Sequence, residues 1–235
     1  MKILSWNILH GGGQRAHNIV ATIKEHKPDI VTLQEFRHGK SKPILLEGLK
    51  DAGLDNIYAP DTKTARDNSL LIASHYDFNA EVFPETSDSI ARGIKASFVY
   101  PEINLISVHL PHKKKQVPFF LSLQELPEFW LEENSLLIGD FNCGIPFEDS
   151  ETKSFDNTHL FQHLLRQGWI DAWRIRHLKD KEFTWISTKN RNGFRYDHAL
   201  VSAEMDTNIE KVHYDHSVRE QGISDHSLLI LEVDL

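Results

Sequence analysis

The tetrapeptide Ser-Leu-Leu-Ile occurs three times, at 69–72, 135–138 and 227–230. Each run is continuously apolar rather than alternating, the pattern of a strand covered on both faces. The intervals between the runs are unequal, so they are not a solenoid repeat. A sheet buried on both sides needs helices or a second sheet over each face. The chain has 235 residues, with no linker or composition shift to divide it, and reads as one domain over 1–235.

The remaining elements fit that layering. A first strand is expected over 2–6. Ala16, Ile19, Val20 and Ile23 recur at helical spacing within 15–26, and Pro28 and Asp29 stop the helix. A second strand over 30–34 delivers Glu35 at its end. A helix is expected over 41–52, with Pro43 in its first turn and Gly53 closing it. Strands are expected at 57–59, 68–74, 78–83, 93–99, 104–109, 134–138, 183–186, 196–201, 209–214 and 227–233. Helical spacing covers 116–131, with Pro118 and Pro127 at its edges or bending it. A last helix, 158–167, ends at Gly168.

Composition narrows the function. A net charge of −8, from 26 basic and 34 acidic side chains, argues against a general nucleic-acid coating protein. It leaves room for a nucleic-acid enzyme with a small local basic patch. The single Cys143 has no internal disulfide partner, which fits a reducing compartment. It also follows Asn142 directly, so a thiol nucleophile is one alternative. No run is long enough to span a membrane, and no signal-peptide core precedes the first strand. A cytoplasmic monomer is the expectation.

Polar residues collect at the strand ends: Asn7, Glu35, His109, Asp140 with Asn142, Asp197, and Asp225 with His226. Carboxylates at Glu35, Asp140 and Asp225, joined by Asn7, suit Mg²⁺ or Mn²⁺, which prefer oxygen ligands. A thiolate or histidine-rich zinc set is missing. His159 and His163 have i, i+4 spacing, but no Glu follows His159 as a zinc protease requires, and they read as surface histidines. His109 and His226 are groups able to exchange protons near neutral pH. Hydrolysis of a phosphoester needs a cation, a positioned water and a proton donor, and this set supplies all three.

Seven short motifs then occur in a telling order: Trp6-Asn7, Gln34-Glu35, Ser107-Val108-His109-Leu110, Gly139-Asp140-Phe141-Asn142, Thr184-Trp185, Arg195-Tyr196-Asp197-His198 and Ser224-Asp225-His226. In this order the chain resembles the endonuclease/exonuclease/phosphatase superfamily, and the match runs from Asn7 to His226. The resemblance implies a four-layer α/β sandwich with two central mixed sheets and a metal-dependent phosphoesterase site. It implies Glu35 as the principal metal ligand, helped by Asn7 and Asp225. Asp140 would activate the attacking water or bind a second metal. Asn142 would hold the phosphate or that water. His226 would contact the phosphate, with Asp197 orienting its ring and raising its pKa. His109 would hydrogen-bond a phosphate oxygen or protonate the leaving group.

Several neighbours carry blander readings. Thr184-Trp185 reads as pocket wall. Arg195 pairs with a core carboxylate or reaches the phosphate. His198 follows Asp197 on a strand and points to the opposite face. Asp67 is a candidate to orient His109. The run His112-Lys113-Lys114-Lys115 is a solvated loop, or a patch that draws an anionic substrate to the site.

The substrate is left open. Abasic-site endonucleases usually carry Tyr where this chain has His109, and no long insertion offers a DNA-gripping loop. A nuclease-type phosphodiesterase leads, with nucleic acid among its substrates. The alternative is a phosphatase or phosphodiesterase acting on a small-molecule or lipid-headgroup phosphate, as sphingomyelinases do. A catalytically silent binding domain ranks below both, because none of the site residues is missing.

Overall fold

The computed structural model describes residues 1–84, 91–153 and 155–235. The chain begins with β1 (Lys2–Asn7), α1 (Ala16–His26), β2 (Ile30–Phe36) and α2 (Lys42–Asp51). β3 (Asn56–Tyr58), β4 (Ser69–Ser74), β5 (Phe78–Val82), β6 (Gly93–Val99) and β7 (Glu102–His109) follow. Next come α3 (Val117–Gln124), α4 (Phe129–Glu132), β8 (Ser135–Asp140) and α5 (Thr158–Gln167). After these lie β9 (Ile170–Asp171), α6 (Ala172–Arg176), β10 (Trp185–Ile186), β11 (Gly193–Phe194) and β12 (Asp197–Val201). α7 (Ala203–Thr207), β13 (Ile209–Asp215), α8 (Ser217–Glu220) and β14 (Leu228–Val233) complete the chain.

Two six-stranded mixed sheets form, ordered β13-β14-β1-β2-β4-β3 and β5-β6-β7-β8-β12-β9. Each has one parallel pair near its centre, β1 with β2 and β7 with β8. The Ser-Leu-Leu-Ile runs fall in β4, β8 and at the start of β14, and all their residues are buried.

Adjacent side chains on each strand sort into different cores, as the two-residue strand period requires. Ile3, Leu70 and Ile72 face Ile94, Leu105 and Ile138 between the sheets. Leu4, Val31 and Leu71 turn outward onto Ile19 and Ile23 of α1 and Leu45 and Leu49 of α2. Ile106, Leu137 and Leu200 turn outward onto Phe120 of α3, Trp130 of α4 and Phe161 of α5. Three cores between four layers make an α/β/β/α sandwich.

The helix expected over 116–131 is divided. Lys113–Gln116 is a 3₁₀ turn, α3 starts with Pro118 in its first turn, and α4 begins only after Pro127. Pro127 cannot donate the backbone hydrogen bond that would continue α3. Its carbonyl instead accepts from Trp130 N at 3.0 Å. The two-residue strands β9 and β11 and the short helices α6, α7 and α8 had no counterpart in the sequence reading.

Candidate active site

The parallel pairs aim the polar residues at one place. β1 and β2 end at Asn7 and just past Glu35, and Asn7 pairs in register with Gln34. β7 and β8 end at His109 and Asp140, which pair with each other. β12 runs antiparallel to β8 and starts at Asp197, opposite Asp140. The C-terminal ends of the central strands of both sheets therefore meet at one edge of the sandwich.

Local backbone irregularities point these side chains. Glu35 has φ of 59°, and the β2–β4 register shifts there between Gln34 and Phe36. That bulge re-aims one carboxylate without disturbing the buried strand before it. Gly139 has φ of 136°, and a Cβ there would stand 2.1 Å from Val108 O. Only glycine lets β8 pass β7 this closely, one residue before Asp140. Asn142 adopts φ of 47°, a left-handed conformation that asparagine tolerates.

Asn7 Nδ2 donates to Asp140 Oδ2 at 3.0 Å, joining the two sheets. Asn142 N donates to Asp140 Oδ1 at 2.9 Å, and Asn142 Nδ2 to Leu110 O at 2.9 Å. His109 Nε2 lies 3.9 Å from both Glu35 Oε1 and Asp140 Oδ2. His226 Nδ1 donates to Asp197 Oδ2 at 2.8 Å, which leaves Nε2 facing Asp140 Oδ2 at 3.8 Å. Thus Asn7, Glu35, His109, Asp140, Asn142, Asp197 and His226 are brought together.

Asp225 joins them through a contact that sequence reasoning missed. Trp185 Nε1 donates to Asp225 Oδ2 at 3.0 Å, so the expected wall residue also holds a carboxylate. The pairing of Trp185 with His226 in an isolated β-bridge sets that alignment. The adjacent Thr184 Oγ1 accepts from Tyr196 N at 3.0 Å and Asp197 N at 3.3 Å. Trp185, Phe194 and Tyr196 form an aromatic wall, with Tyr196 stacked on Phe194 at 5.2 Å and 6.5 Å from the His226 ring. The signal for it was the aromatic content of Trp185 and Phe194-Arg195-Tyr196, but their contact spans a hairpin.

The two histidines differ sharply. Burial opposes charge on His226, yet Asp197 and Asp140 beside it raise its pKa to about 10. Burial and the Arg92 cation push His109 down to about 3. One ring is therefore a cationic donor at neutral pH and the other is neutral. Burial also lifts the Asp140 carboxyl to about 7, with His226 opposing the rise and Asp197 adding to it.

The set fits a divalent cation. Asp140 and Asp197 offer carboxylate oxygens within 4.8 Å of each other, while the protonated His226 ring beside them has no lone pair for an ion. Among the described residues, the buried Oδ1 atoms of Asp197 and Asp225 have no hydrogen-bond partner. Unpaired buried carboxylate oxygens beside a carboxyl of raised pKa call for positive charge.

Other candidates lie elsewhere. Arg195 is fully buried, bonded to Asp149 and Asp171 and stacked over Trp173 at 5.0 Å. It braces the core and does not reach the site. His198 points away as expected, its Nε2 2.9 Å from Cys143 O. Cys143 is buried, and its thiol is pushed up to about 12, the opposite of an activated nucleophile. Asp67 accepts from Thr64 N at 2.8 Å in its own loop, and among the described residues the carboxylates within 4 Å of His109 are Glu35 and Asp140. His159 and His163 are exposed. His112 lies 6.3 Å from the Tyr196 ring, so the lysine run begins at the rim of the site. Among the described residues no helix is long and apolar enough to cross a membrane.

An AP endonuclease from Archaeoglobus fulgidus has a similar structure, with a TM-score of 0.85, 20% identity and coverage of 100% of both chains. A 3′ phosphatase, NExo from Neisseria, solved with a product DNA hairpin, gives a TM-score of 0.84 at 24% identity, again with both chains covered at 100%. The 3′-5′ exonuclease NExo from Neisseria meningitidis gives 0.83 at 23% identity with the same coverage of 100%. These likenesses establish the fold. The sequence model of the Endonuclease/Exonuclease/phosphatase family matches residues 4–226. The chain belongs to the Endonuclease/Exonuclease/phosphatase family of phosphoric ester hydrolases, in which metal dependence is typical.

Proposed function

We propose that this protein hydrolyses phosphodiester bonds in nucleic acid, with Mg²⁺ or Mn²⁺ as its ion. The observation that carries the reading is the crowding of Asp140 by Asn7, His109, Asp197 and His226 at one sheet edge. Glu35 and Asn7, with Asp140 and Asp225, would hold the ion, which supplies positive charge to the phosphate and lowers the pKa of water. Asp140 accepts the proton of the attacking water. Its two oxygens are fixed by Asn7 and Asn142, so the proton acceptor is oriented before substrate arrives.

His226 holds its proton on Nε2 and donates to a non-bridging phosphate oxygen, while Asp197 keeps the ring in place. Neutral His109 donates a hydrogen bond to a phosphate oxygen, and the leaving oxygen takes its proton from water. Asn142 holds the phosphate beside them. The wall of Trp185, Phe194 and Tyr196 supports a substrate with a flat or apolar group next to its phosphate, as a nucleotide has. The lipid-headgroup and small-phosphoester reading uses the same chemistry and differs only in what rests on that wall.

A substrate panel with Mg²⁺ and with Mn²⁺ tests the proposal: plain duplex DNA, abasic DNA, 3′-phosphorylated DNA, RNA, a chromogenic phosphodiester, sphingomyelin and inositol phosphates. Turnover of a nucleic acid above the other substrates is expected. Turnover confined to sphingomyelin or inositol phosphates would replace the nuclease reading.

A further inference from the structure

The geometry points to a second anion subsite beside Glu35, formed by Arg37, Lys40 and Arg66, which takes a non-reacting phosphate of the nucleic-acid strand. A cavity of about 410 Å³ opens there, lined by His10, Arg37, Lys40, Ser41 and Arg66 among others, and none of its lining side chains is acidic. Among the described residues, the charged ends of Lys40 and Arg66 make no hydrogen bond or ion pair. Three positive side chains around one concavity repel each other unless an anion joins them.

The cavity is fastened to the active site. His10 Nδ1 lies 2.7 Å from Glu35 Oε2 and 2.9 Å from Arg37 Nη2. Arg37 Nε donates to Asn68 Oδ1 at 2.6 Å, so this guanidinium is oriented in advance. Gly11 N donates to Glu35 O at 2.7 Å, and Ser41 Oγ donates to Gly11 O at 2.5 Å. Gly11 itself has φ of +73°, and a Cβ there would press on Arg37 Cβ at 2.8 Å. The floor of the cavity and the Glu35 loop are therefore one braced unit.

That placement distinguishes substrates. Each strand of a duplex carries a phosphate about every 3.4 Å along the helix axis. A strand whose reacting phosphate sits at Glu35 and Asp140 has further phosphates alongside to meet this cavity, whereas a single small phosphoester has none. The subsite rests on the nuclease reading and adds to it a grip outside the reacting centre.

The test uses the K40A/R66A double variant with two probes, a labelled duplex oligonucleotide and a chromogenic phosphodiester. Both changes are at exposed positions, so the fold should persist. The ratio of kcat/KM for the oligonucleotide to that for the chromogenic ester should fall about tenfold, mainly through KM. Oligonucleotide binding in EDTA should lose about one to two units of its log–log salt slope. A ratio within twofold of wild type, together with an unchanged salt slope, would overturn the subsite. Wild-type protein that binds the oligonucleotide with its salt slope reduced in the variant, but cleaves no nucleic acid, would overturn the nuclease reading and keep the subsite. Absence of binding by wild-type protein would overturn both.

Discussion

Asn7 and Asp140 come from different sheets, yet Asn7 Nδ2 donates to Asp140 Oδ2 at 3.0 Å. The bond fixes a buried carboxylate and ties the sandwich together at its working edge. Asn7→Ala should leave the protein folded and lower kcat/KM by about 10- to 100-fold, as loss of a group orienting a metal-site carboxylate does. Steady-state kinetics with circular dichroism checks both halves of the expectation.

The Asp197–His226 pair predicts a pH profile. Asp140 ionises as pH passes about 7, and His226 keeps its proton until about 10. With Mg²⁺ bound, the kcat/KM profile should rise on the acid side of 7, because the cation favours ionised Asp140, and fall at alkaline pH as His226 loses its proton. Asp197→Asn removes the charge that raises His226, so the alkaline limb should move down. The same pair acts on stability. His226 is raised above its ordinary 6.5, so its contribution is complete below 6.5 and lost as pH rises through about 10. In EDTA, the gap in Tm between wild type and Asp197→Asn should therefore be widest below pH 6.5 and shrink toward pH 10.

Trp185 is predicted to act through Asp225. Trp185→Phe keeps a ring on the wall and removes the Nε1 donor to Asp225 Oδ2. The Mg²⁺ concentration for half-maximal rate should rise about 10-fold or more, with kcat at saturating Mg²⁺ much less affected. Titration of activity with Mg²⁺ after EDTA treatment measures this. A wall residue with no link to the ion would leave that midpoint where it was.

Gly139 makes the approach of β8 to β7 possible. Gly139→Ala adds a Cβ 2.1 Å from Val108 O at a φ of 136°, so strain cannot be relieved by a side-chain rotation. Urea denaturation should show a loss of more than about 2 kcal/mol.

Cys143 should be dispensable for chemistry. Its buried thiol is pushed up to about 12 and packs in the core with Phe141 and Phe161. Cys143→Ala should keep kcat within about twofold while lowering stability by about 1 kcal/mol. An inactive, folded variant would restore the thiol mechanism.

The strand ends were readable because a polar residue closing a buried apolar run has few other reasons to be there. Asn7, Glu35, His109 and Asp140 all gave that signal, and the parallel pairs β1–β2 and β7–β8 bring them together. The bond from Trp185 to Asp225 was not readable, because it spans 40 positions and depends on how a two-residue hairpin lies against the sandwich. The basic cavity was hidden for the same reason, since Arg66 comes from the β3–β4 loop and Arg37 and Lys40 from the β2–α2 loop. Arg195 left two readings open, and the choice turned on Asp149 and Asp171, which gave no local signal of pairing. The helix over 116–131 failed at Pro127, where a periodic apolar pattern outlasted the backbone's ability to continue.

The most direct test is the single-turnover rate of Asp140→Asn on a duplex oligonucleotide at saturating Mg²⁺. If Asp140 takes the proton from the attacking water, that rate should fall by about a thousandfold or more while oligonucleotide affinity stays within a few-fold of wild type. A folded variant that turns over within tenfold of wild type would contradict the account.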